Sequence, residues 1–347
     1  MSDLNNGLDY LKAQRPAIGS GDQVEIAPGV HWAAMPLGGR LEAINVWVLR
    51  DRANWSIVDT GLRNAATITA WRALMNSLFD NGRPDRIFCT HMHPDHAGLA
   101  GWFAADFGAR LWMSRLEYFV LRMLTADQGK AAPGEAIDFY RSTGFSDASI
   151  DQLRSRFGEF GRMVYPLPQA FHAVAHADLI DIDNDEWQVI VGEGHSPEHC
   201  CLYNPSRKLF ISGDQVLPTI SSNVSVYPYE PDADPLTRWL STLQRIKEMV
   251  PADVLVLPAH GQPFFGLHQR IDQLLEEHER GLAALDEKLS VRSRPVDLYG
   301  ALFRREITPV LEIMAVGETL AHLACLRSRG QAAMEMDDAG IQWWSRS

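Results

Sequence analysis

The sequence predicts an α/β fold in which apolar strands alternate with amphipathic helices and deliver polar side chains from the strand ends. Three observations carry that prediction. His91-Met92-His93-Pro94-Asp95-His96 puts three imidazoles and a carboxylate into one short loop. The loop joins a β-rich run, residues 86–90, to an amphipathic stretch, residues 97–107, that reads as a helix. Three later apolar runs each end in a Gly- or Pro-containing turn that bears one His or Asp.

The loop itself comes first. Side chains alternate along extended backbone, so His91 and His93 point the same way, as two ligands of one ion would. Asp95 and His96 lie beyond Pro94, where the chain must turn, and so can face a second ion. The chain holds 12 histidines in 347 residues, and three fall within these six positions, a density that a core or surface histidine does not explain. Neutral imidazole and carboxylate are preferred ligands of zinc and related borderline ions.

The later runs repeat the setting. Residues 187–191 lead into Gly192-Glu193-Gly194-His195-Ser196-Pro197, residues 209–212 into Gly213-Asp214, and residues 254–257 into Pro258-Ala259-His260-Gly261. Glycine at such turns lets the backbone approach an ion or ligand without a Cβ clash.

Taken together, these segments resemble the metallo-β-lactamase-fold hydrolases, a superfamily marked by H-x-H-x-D-H and by later His, Asp and His ligands. The match spans about residues 25–265. The resemblance implies that His91, His93 and His195 hold one metal, that Asp95, His96 and His260 hold the other, and that Asp214 bridges them. Ser56-Ile57-Val58-Asp59-Thr60-Gly61 is similar to the superfamily's other signature, in which the Asp supports the site from behind the ligands. Gly194-His195-Ser196-Pro197-Glu198-His199 resembles the G-H-[ST]-x-x-H segment of glyoxalase II-like enzymes and of β-lactamase-like protein 2, which gives His199 a supporting place. An Asp in the bridging position points to a two-metal hydrolase rather than to the single-metal members that oxidise thiols. Two divalent ions are expected, zinc by default, with iron and manganese found in similar sites.

The resemblance also implies an αββα sandwich, two sheets face to face with helices outside, over residues 25–268. Residues 1–24 read as an N-terminal extension. The helix expected over residues 234–250 shows the local logic: Asp234 caps it, Pro235 opens the first turn, and Leu236, Trp239, Leu240, Leu243 and Ile246 recur at helical spacing toward the sheet. Between His96 and His195 lie 98 residues, more than a short enzyme of this type needs. The excess, residues 115–179, reads as a mostly helical insertion near the mouth of the site, with Tyr118, Met123, Phe139 and Tyr140 as a lid or substrate wall.

The tail, residues 269–347, reads as a small winged-helix-like domain. It comprises a long charged helix over 269–290 with a solvated face at Glu276 to Arg280, short helices over 295–303, 309–314 and 318–329, and a hairpin from residues 330–336 and 341–344. By analogy such a domain suggests nucleic acid. Its recognition helix here carries Glu318 and His322, with Arg327 and Arg329 near the end, so packing on the catalytic domain or homodimerisation is the better expectation.

Composition narrows the functional classes. Net charge is 32 − 44 = −12, whereas nucleic-acid binders carry a basic face. No apolar run approaches the roughly 20 residues of a membrane span. The start of the chain has neither a basic stretch nor an apolar core of a leader, which points to a cytoplasmic protein. Cys89, Cys200, Cys201 and Cys325 show no pairing pattern and read as buried free thiols, Cys200 and Cys201 on opposite faces of one strand.

The expected chemistry is hydrolysis. A water shared by two divalent ions loses a proton near neutral pH, one ion polarises the carbonyl, and Asp95 orients the nucleophile as well as ligating. The expected substrate is a small thioester or ester. The Lys- and Arg-containing segments with which glyoxalase II holds glutathione are not recognisable in the tail, so acyl-thioesters, lactones and other carboxylic esters stay open. A nuclease of the β-lactamase-like protein 2 kind, and a lactonase or β-lactamase-type amide hydrolase, are the alternatives. The segment after Asp214 is rich in Ser, Asn, Tyr and Pro, and Ser221, Ser222, Asn223, Tyr227 and Tyr229 are its candidate pocket residues.

Overall fold

The alternation of apolar strands and amphipathic helices resolves into two seven-stranded sheets and a terminal hairpin. The computed structural model describes residues 6–39, 41–304, 306–309 and 311–347. Most of the leader reading rests on residues 1–5, which lie outside the described residues.

β1 (Asp9–Tyr10) belongs to the second sheet. The first sheet takes, in chain order, β2 (Gln23–Ala27), β3 (Val30–Gly38), β4 (Glu42–Asp51), β5 (Asn54–Val58), β6 (Pro84–Phe88), β7 (Arg110–Ser114) and β8 (His172–Val174). Pairing is antiparallel from β2 to β5 and parallel from β5 to β8. The second sheet holds β9 (Leu179–Ile182), β10 (Asp185–Gly192), β11 (His199–Asn204), β12 (Leu209–Gly213), β13 (Leu255–Pro258) and β14 (Phe264–Phe265). Its order is β1-β14-β13-β12-β11-β10-β9, with β12 and β13 parallel.

The helices are α1 (Ala65–Leu78), α2 (Pro94–Ala97), α3 (Ala100–Phe107), α4 (Arg115–Ala126), α5 (Gly134–Ser142), α6 (Asp147–Arg156) and α7 (Glu159–Arg162). After the sheets come α8 (Pro235–Met249), which lies between β12 and β13, then α9 (Leu267–Lys288), α10 (Tyr299–Leu302) and α11 (Glu312–Ser328). The hairpin is β15 (Ala332–Met336) with β16 (Gln342–Arg346).

The layers follow from the two-residue period of the strands. Leu209 and Ile211 of β12 face the other sheet, together with Trp32, Trp47, Phe88, Trp187 and Leu257, whereas Phe210 faces outward into a cluster with Trp239, Leu243, Leu274 and Leu320. Cys200 and Cys201 divide in the same way between those two clusters, and all four cysteines are buried and free. Trp71, Leu74, Phe103 and Leu121 of α1, α3 and α4 cover the outer face of the first sheet. The result is the expected αββα sandwich. Among the described residues no helix is long and apolar enough to cross a membrane.

Several local expectations are corrected. The helix expected over 97–107 is two helices broken at Gly98, where an added Cβ would lie 2.3 Å from the Pro94 carbonyl oxygen and 2.5 Å from that of Gly61. The insertion is helical through α7 but ends in β8, which pairs with β7 as an edge strand. Of the stripe on α8, Leu236, Trp239, Leu243 and Ile246 are buried and Leu240 is only partly so. In the tail, the two helices expected over 309–314 and 318–329 form one helix, α11, buried along nearly its whole length; Val310 lies outside the described residues. Glu276, Glu277, Glu279 and Arg280 are exposed as expected, but His278 is turned inward and buried. Its Nδ1 lies 3.4 Å from Nε2 of buried His322, and its Nε2 lies 2.9 Å from the Ser221 hydroxyl.

That pair gives the tail an acid response. Burial lowers His278 to about 3, with the facing His322 adding to it, and burial lowers His322 to about 4. Both folded values lie below the ordinary 6.5, so the unfolded chain takes up these protons first. Their contribution to stability is therefore complete above pH 6.5 and declines as pH falls toward 4, by up to about 1.4 kcal/mol per pH unit for each imidazole. Urea unfolding between pH 7 and pH 5 should show a shallower pH dependence in a His278→Gln/His322→Gln double variant. Equal slopes would remove these two groups from the acid response.

Candidate metal centre

Each of the candidate ligands stands just beyond a strand end or at a turn, and the topology brings these ends together. β10, β12 and β13 run in one direction in the second sheet, as do β5 and β6 in the first, so the segments carrying His91 to His96, His195, Asp214 and His260 open at the same edge of the sandwich. Backbone bonds join the two sheets there: Cys200 N donates to Thr90 O at 2.7 Å, and Asn45 N donates to Ala259 O at 2.7 Å.

His91, His93 and His195 converge first. His91 Nε2 lies 2.8 Å from His93 Nδ1, His93 Nδ1 lies 3.1 Å from His195 Nε2, and the third edge is 3.2 Å. Three nitrogens so placed form one face of a coordination shell. Asp95 Oδ2 lies 3.6 Å from His96 Nε2 and 3.4 Å from His260 Nε2, a second group of three. Asp214 stands between the two groups. Its Oδ2 is 3.5 Å from both His195 Nε2 and His96 Nε2, and its Oδ1 is 3.6 Å from His260 Nε2.

The inward aim of these rings is set from behind. His96 Nδ1 donates to Asp59 Oδ2 at 2.8 Å, His195 Nδ1 donates to Asn223 O at 2.8 Å, and His260 Nδ1 donates to Ala43 O at 3.0 Å. His91 Nδ1 lies 3.0 Å from Thr90 Oγ1, whose hydroxyl is held by the Asp59 carboxylate. An imidazole whose far nitrogen is committed to an oxygen presents its other lone pair to an ion. Asp59 does this from the left-handed region (φ 62°), a costly conformation for a non-glycine residue that sends its carboxylate under the loop. His199 sits behind the ligands too: its Nε2 accepts the Asp214 amide proton at 3.1 Å.

The electrostatics fit a cation. Burial, reinforced by the surrounding imidazoles, pushes His91 well below its ordinary value and His93 to about 3. Burial opposes ionisation of Asp95, but the facing His96 and His260 outweigh it and hold the carboxyl at about 2. Burial would likewise lower His96, and the carboxylates of Asp95, Asp214 and Asp59 overcome it and raise it. Buried carboxylates beside imidazoles that reject a proton are a donor set that could hold a divalent ion. His96 Nε2 and Asp214 Oδ1 are moreover buried with no hydrogen-bond partner, as ligand atoms would be.

Three functional side chains escaped the sequence reading. Glu117 lies in the expected insertion, where Ser114-Arg115-Leu116-Glu117 reads as a helix capping box. Ser114 does cap α4, but the Glu117 carboxylate turns into the core. It accepts from Met92 N at 2.8 Å and from Glu198 N at 2.7 Å, tying the two histidine-bearing loops together. Burial raises its carboxyl to about 6. Asn45 donates through Nδ2 to Pro258 O and Gly261 O and so fixes the loop carrying His260; its trace in the sequence is one polar residue inside the apolar run 43–49. Thr90 leaves no signal beyond its place next to His91.

Beside His195 a cavity of about 50 Å³ is walled by Met92, Pro197, Tyr227, Tyr229, Glu193 and Arg238. The rings of Tyr227 and Tyr229 stack, 5.4 Å apart and 13° from parallel. The other candidate substrate residues are not on this wall. Tyr118 is packed under the first sheet against Phe171 and donates its hydroxyl to Pro168 O, because its helix turns it inward. Phe139 and Tyr140 are buried in the cluster on the second sheet, and Met123 is exposed on α4. Ser221 is held against His278, Ser222 donates to Asp214 O, and Asn223 is occupied by His195 and by Glu318.

This chain belongs to the metallo-beta-lactamase superfamily, whose family model matches residues 39–260. A second model, the metallo-beta-lactamase-like C-terminal domain, matches residues 282–347. A crystal structure of a beta-lactamase domain protein from Burkholderia ambifaria is similar over 99% of both chains, at 37% identity and a TM-score of 0.90. Metallo-beta-lactamase family protein TTHA1429 from Thermus thermophilus shares the fold over 93% of this chain and all of that one, at 24% identity and a TM-score of 0.78. Acyl-coenzyme A thioesterase MBLAC2 of Homo sapiens is 23% identical over 254 residues, which cover 69% of this chain and 80% of that protein. An uncharacterized protein of Aquifex aeolicus is 24% identical over half of this chain, and the match spans 66% of that protein.

Replacing the shared carboxylate tests the geometry. Asp214→Ala removes the group that stands between both sets of ligands, so the purified variant should hold fewer than two metal equivalents by elemental analysis. A full complement of two would show that Asp214 is not a ligand. Asp59→Ala should weaken metal binding by about 10- to 100-fold, since it frees His96 Nδ1 and Thr90.

Proposed function

We propose that this superfamily member is a two-metal hydrolase that cleaves a small-molecule thioester or ester. The observation that carries the reading is the pair of facing three-ligand groups with Asp214 between them. Two divalent ions held there, zinc being the expected pair, would lower the pKa of a water and polarise a carbonyl.

The residues of the chain have distinct parts in such a reaction. Asp95, placed between His96 and His260, would orient the attacking water as well as help to hold an ion. The water oxygen bonds to the carbonyl carbon, the carbon–sulfur or carbon–oxygen bond breaks, and the proton leaves with the thiol or alcohol. Pro197 and the stacked Tyr227 and Tyr229 give an apolar wall for the acyl part. Arg238, half exposed at the mouth and 3.9 Å from Glu193, supplies a cation for anionic groups on the leaving part.

Two observations favour a small (thio)ester over a phosphodiester. The MBLAC2 relatives from Homo sapiens and Bos taurus are named acyl-coenzyme A thioesterases. The helix that would read nucleic acid in a winged-helix domain, α11, is buried against the catalytic domain, and the chain's net charge is −12.

The test is a panel of acyl-CoA, acyl-glutathione, lactone, nitrocefin and single-stranded RNA against metal-replete protein. Thioester turnover is expected, and Asp95→Asn should lower kcat by about 100-fold or more. Arg238→Ala should raise KM for acyl-CoA while leaving kcat near its starting value. RNA cleavage without esterase activity would overturn the reading.

A further inference from the structure

We propose that the C-terminal domain completes the metal centre, with Glu318 of α11 acting as a positioning residue for the ligand His195 through Asn223. The inference rests on the two-metal reading of the site. Its observation is a continuous path of hydrogen bonds from the tail to an imidazole that faces the centre.

The path has two links. Asn223 Nδ2 donates to Glu318 Oε2 at 2.8 Å, and His195 Nδ1 donates to the Asn223 carbonyl oxygen at 2.8 Å. Ser225 Oγ donates to Asn223 Oδ1 at 2.6 Å, so the side-chain amide is held at both ends and the peptide that carries the carbonyl is fixed. With Nδ1 committed as a donor, His195 has only Nε2 left to point at His91 and His93.

The packing around this path is closer than a domain contact requires. An added Cβ at Gly317 would lie 2.7 Å from Ser225 Oγ and 2.8 Å from its Cβ, and Val226 N donates to Gly317 O at 3.0 Å. The helix and the loop thus meet where glycine permits it, one residue before Glu318. Most of α11 contributes apolar side chains to the core, whereas Glu318 presents a carboxylate to the loop that carries both Asn223 and the cavity residue Tyr227. A segment that only covered the sheet would need no such group.

The experiment titrates zinc and cobalt(II) into metal-free full-length protein against a chromophoric chelator, and records the cobalt d–d spectrum. Glu318→Ala should weaken one of the two ions by about 10-fold or more and alter the spectrum, with far-UV circular dichroism unchanged. Glu318→Gln retains an oxygen acceptor for Asn223 Nδ2 and should bind both ions close to the starting affinity. Leu320→Ala, in the same helix but buried among apolar side chains, should lower Tm and leave metal affinity intact. Asn223→Ala tests the path from the loop side, should Glu318→Ala fail to fold, and is expected to weaken the same ion. Native affinity and a native cobalt spectrum in Glu318→Ala or Asn223→Ala would overturn the inference, as would equal weakening by Leu320→Ala. The readout is metal affinity, so failure of the thioester reading registers only in turnover and failure of this one only in the titration.

Discussion

The structure turns on one constraint: seven titratable side chains from two sheets must share a buried volume with their ligand atoms 2.8–3.6 Å apart. Left to themselves such groups repel or neutralise one another, and burial raises the stakes of each misplacement. The fold answers by fixing four of the five rings, those of His91, His96, His195 and His260, from their far sides. Asp59, Thr90, Asn223 O and Ala43 O each hold or face an outer imidazole nitrogen, so the inner one has a single direction. Two of these partners are peptide oxygens, which are placed by the backbone and cannot rotate away.

That requirement explains why the ligands stand at strand ends and why the ends are cross-linked. A strand terminus is rigid in position yet free of ladder bonds, so its next residues can turn toward a point between the sheets. Cys200 N to Thr90 O, Asn45 to Pro258 and Gly261, and Glu117 to Met92 and Glu198 each join segments distant in the chain. Glu117 is the most economical of them, since one carboxylate fastens both histidine-bearing loops. Its raised pKa reflects the burial that this position imposes.

Much of this was legible in the sequence. Local chemistry writes itself plainly: His91 to His96, His195, Asp214 and His260 follow apolar runs, and those runs are the strands β6, β10, β12 and β13. The sandwich follows from the same runs, because residues of alternating face on β12 supply both an inter-sheet layer and a helix-facing layer. What escaped were residues that no motif marks and whose task depends on a distant partner, whereas Asp59 and His199 were legible through their motifs. His278 reads as part of a charged face because that reading uses only near neighbours, and nothing near Glu117 in the chain marks its task. Tyr118, Ser221, Ser222 and Asn223 suit a pocket by type, yet their positions place them in a core or behind the ligands. Residue type proposes a role, and only the tertiary arrangement decides which face of the site it serves.

On the proposed reading, the loop after Asp214 joins reaction and specificity. Within residues 214–229 the chain supplies the shared carboxylate, the carbonyl that orients His195, and two tyrosines of the cavity wall. The tail packs on that same loop through Gly317, Glu318 and His278. A change in the tail that shifts the loop by even a few tenths of an ångström therefore moves a ligand's support and the substrate wall together. On the proposed two-metal reading, metal affinity and substrate choice would be coupled through this one short segment, a physical reason for such a protein to keep a domain that holds none of the seven candidate ligands.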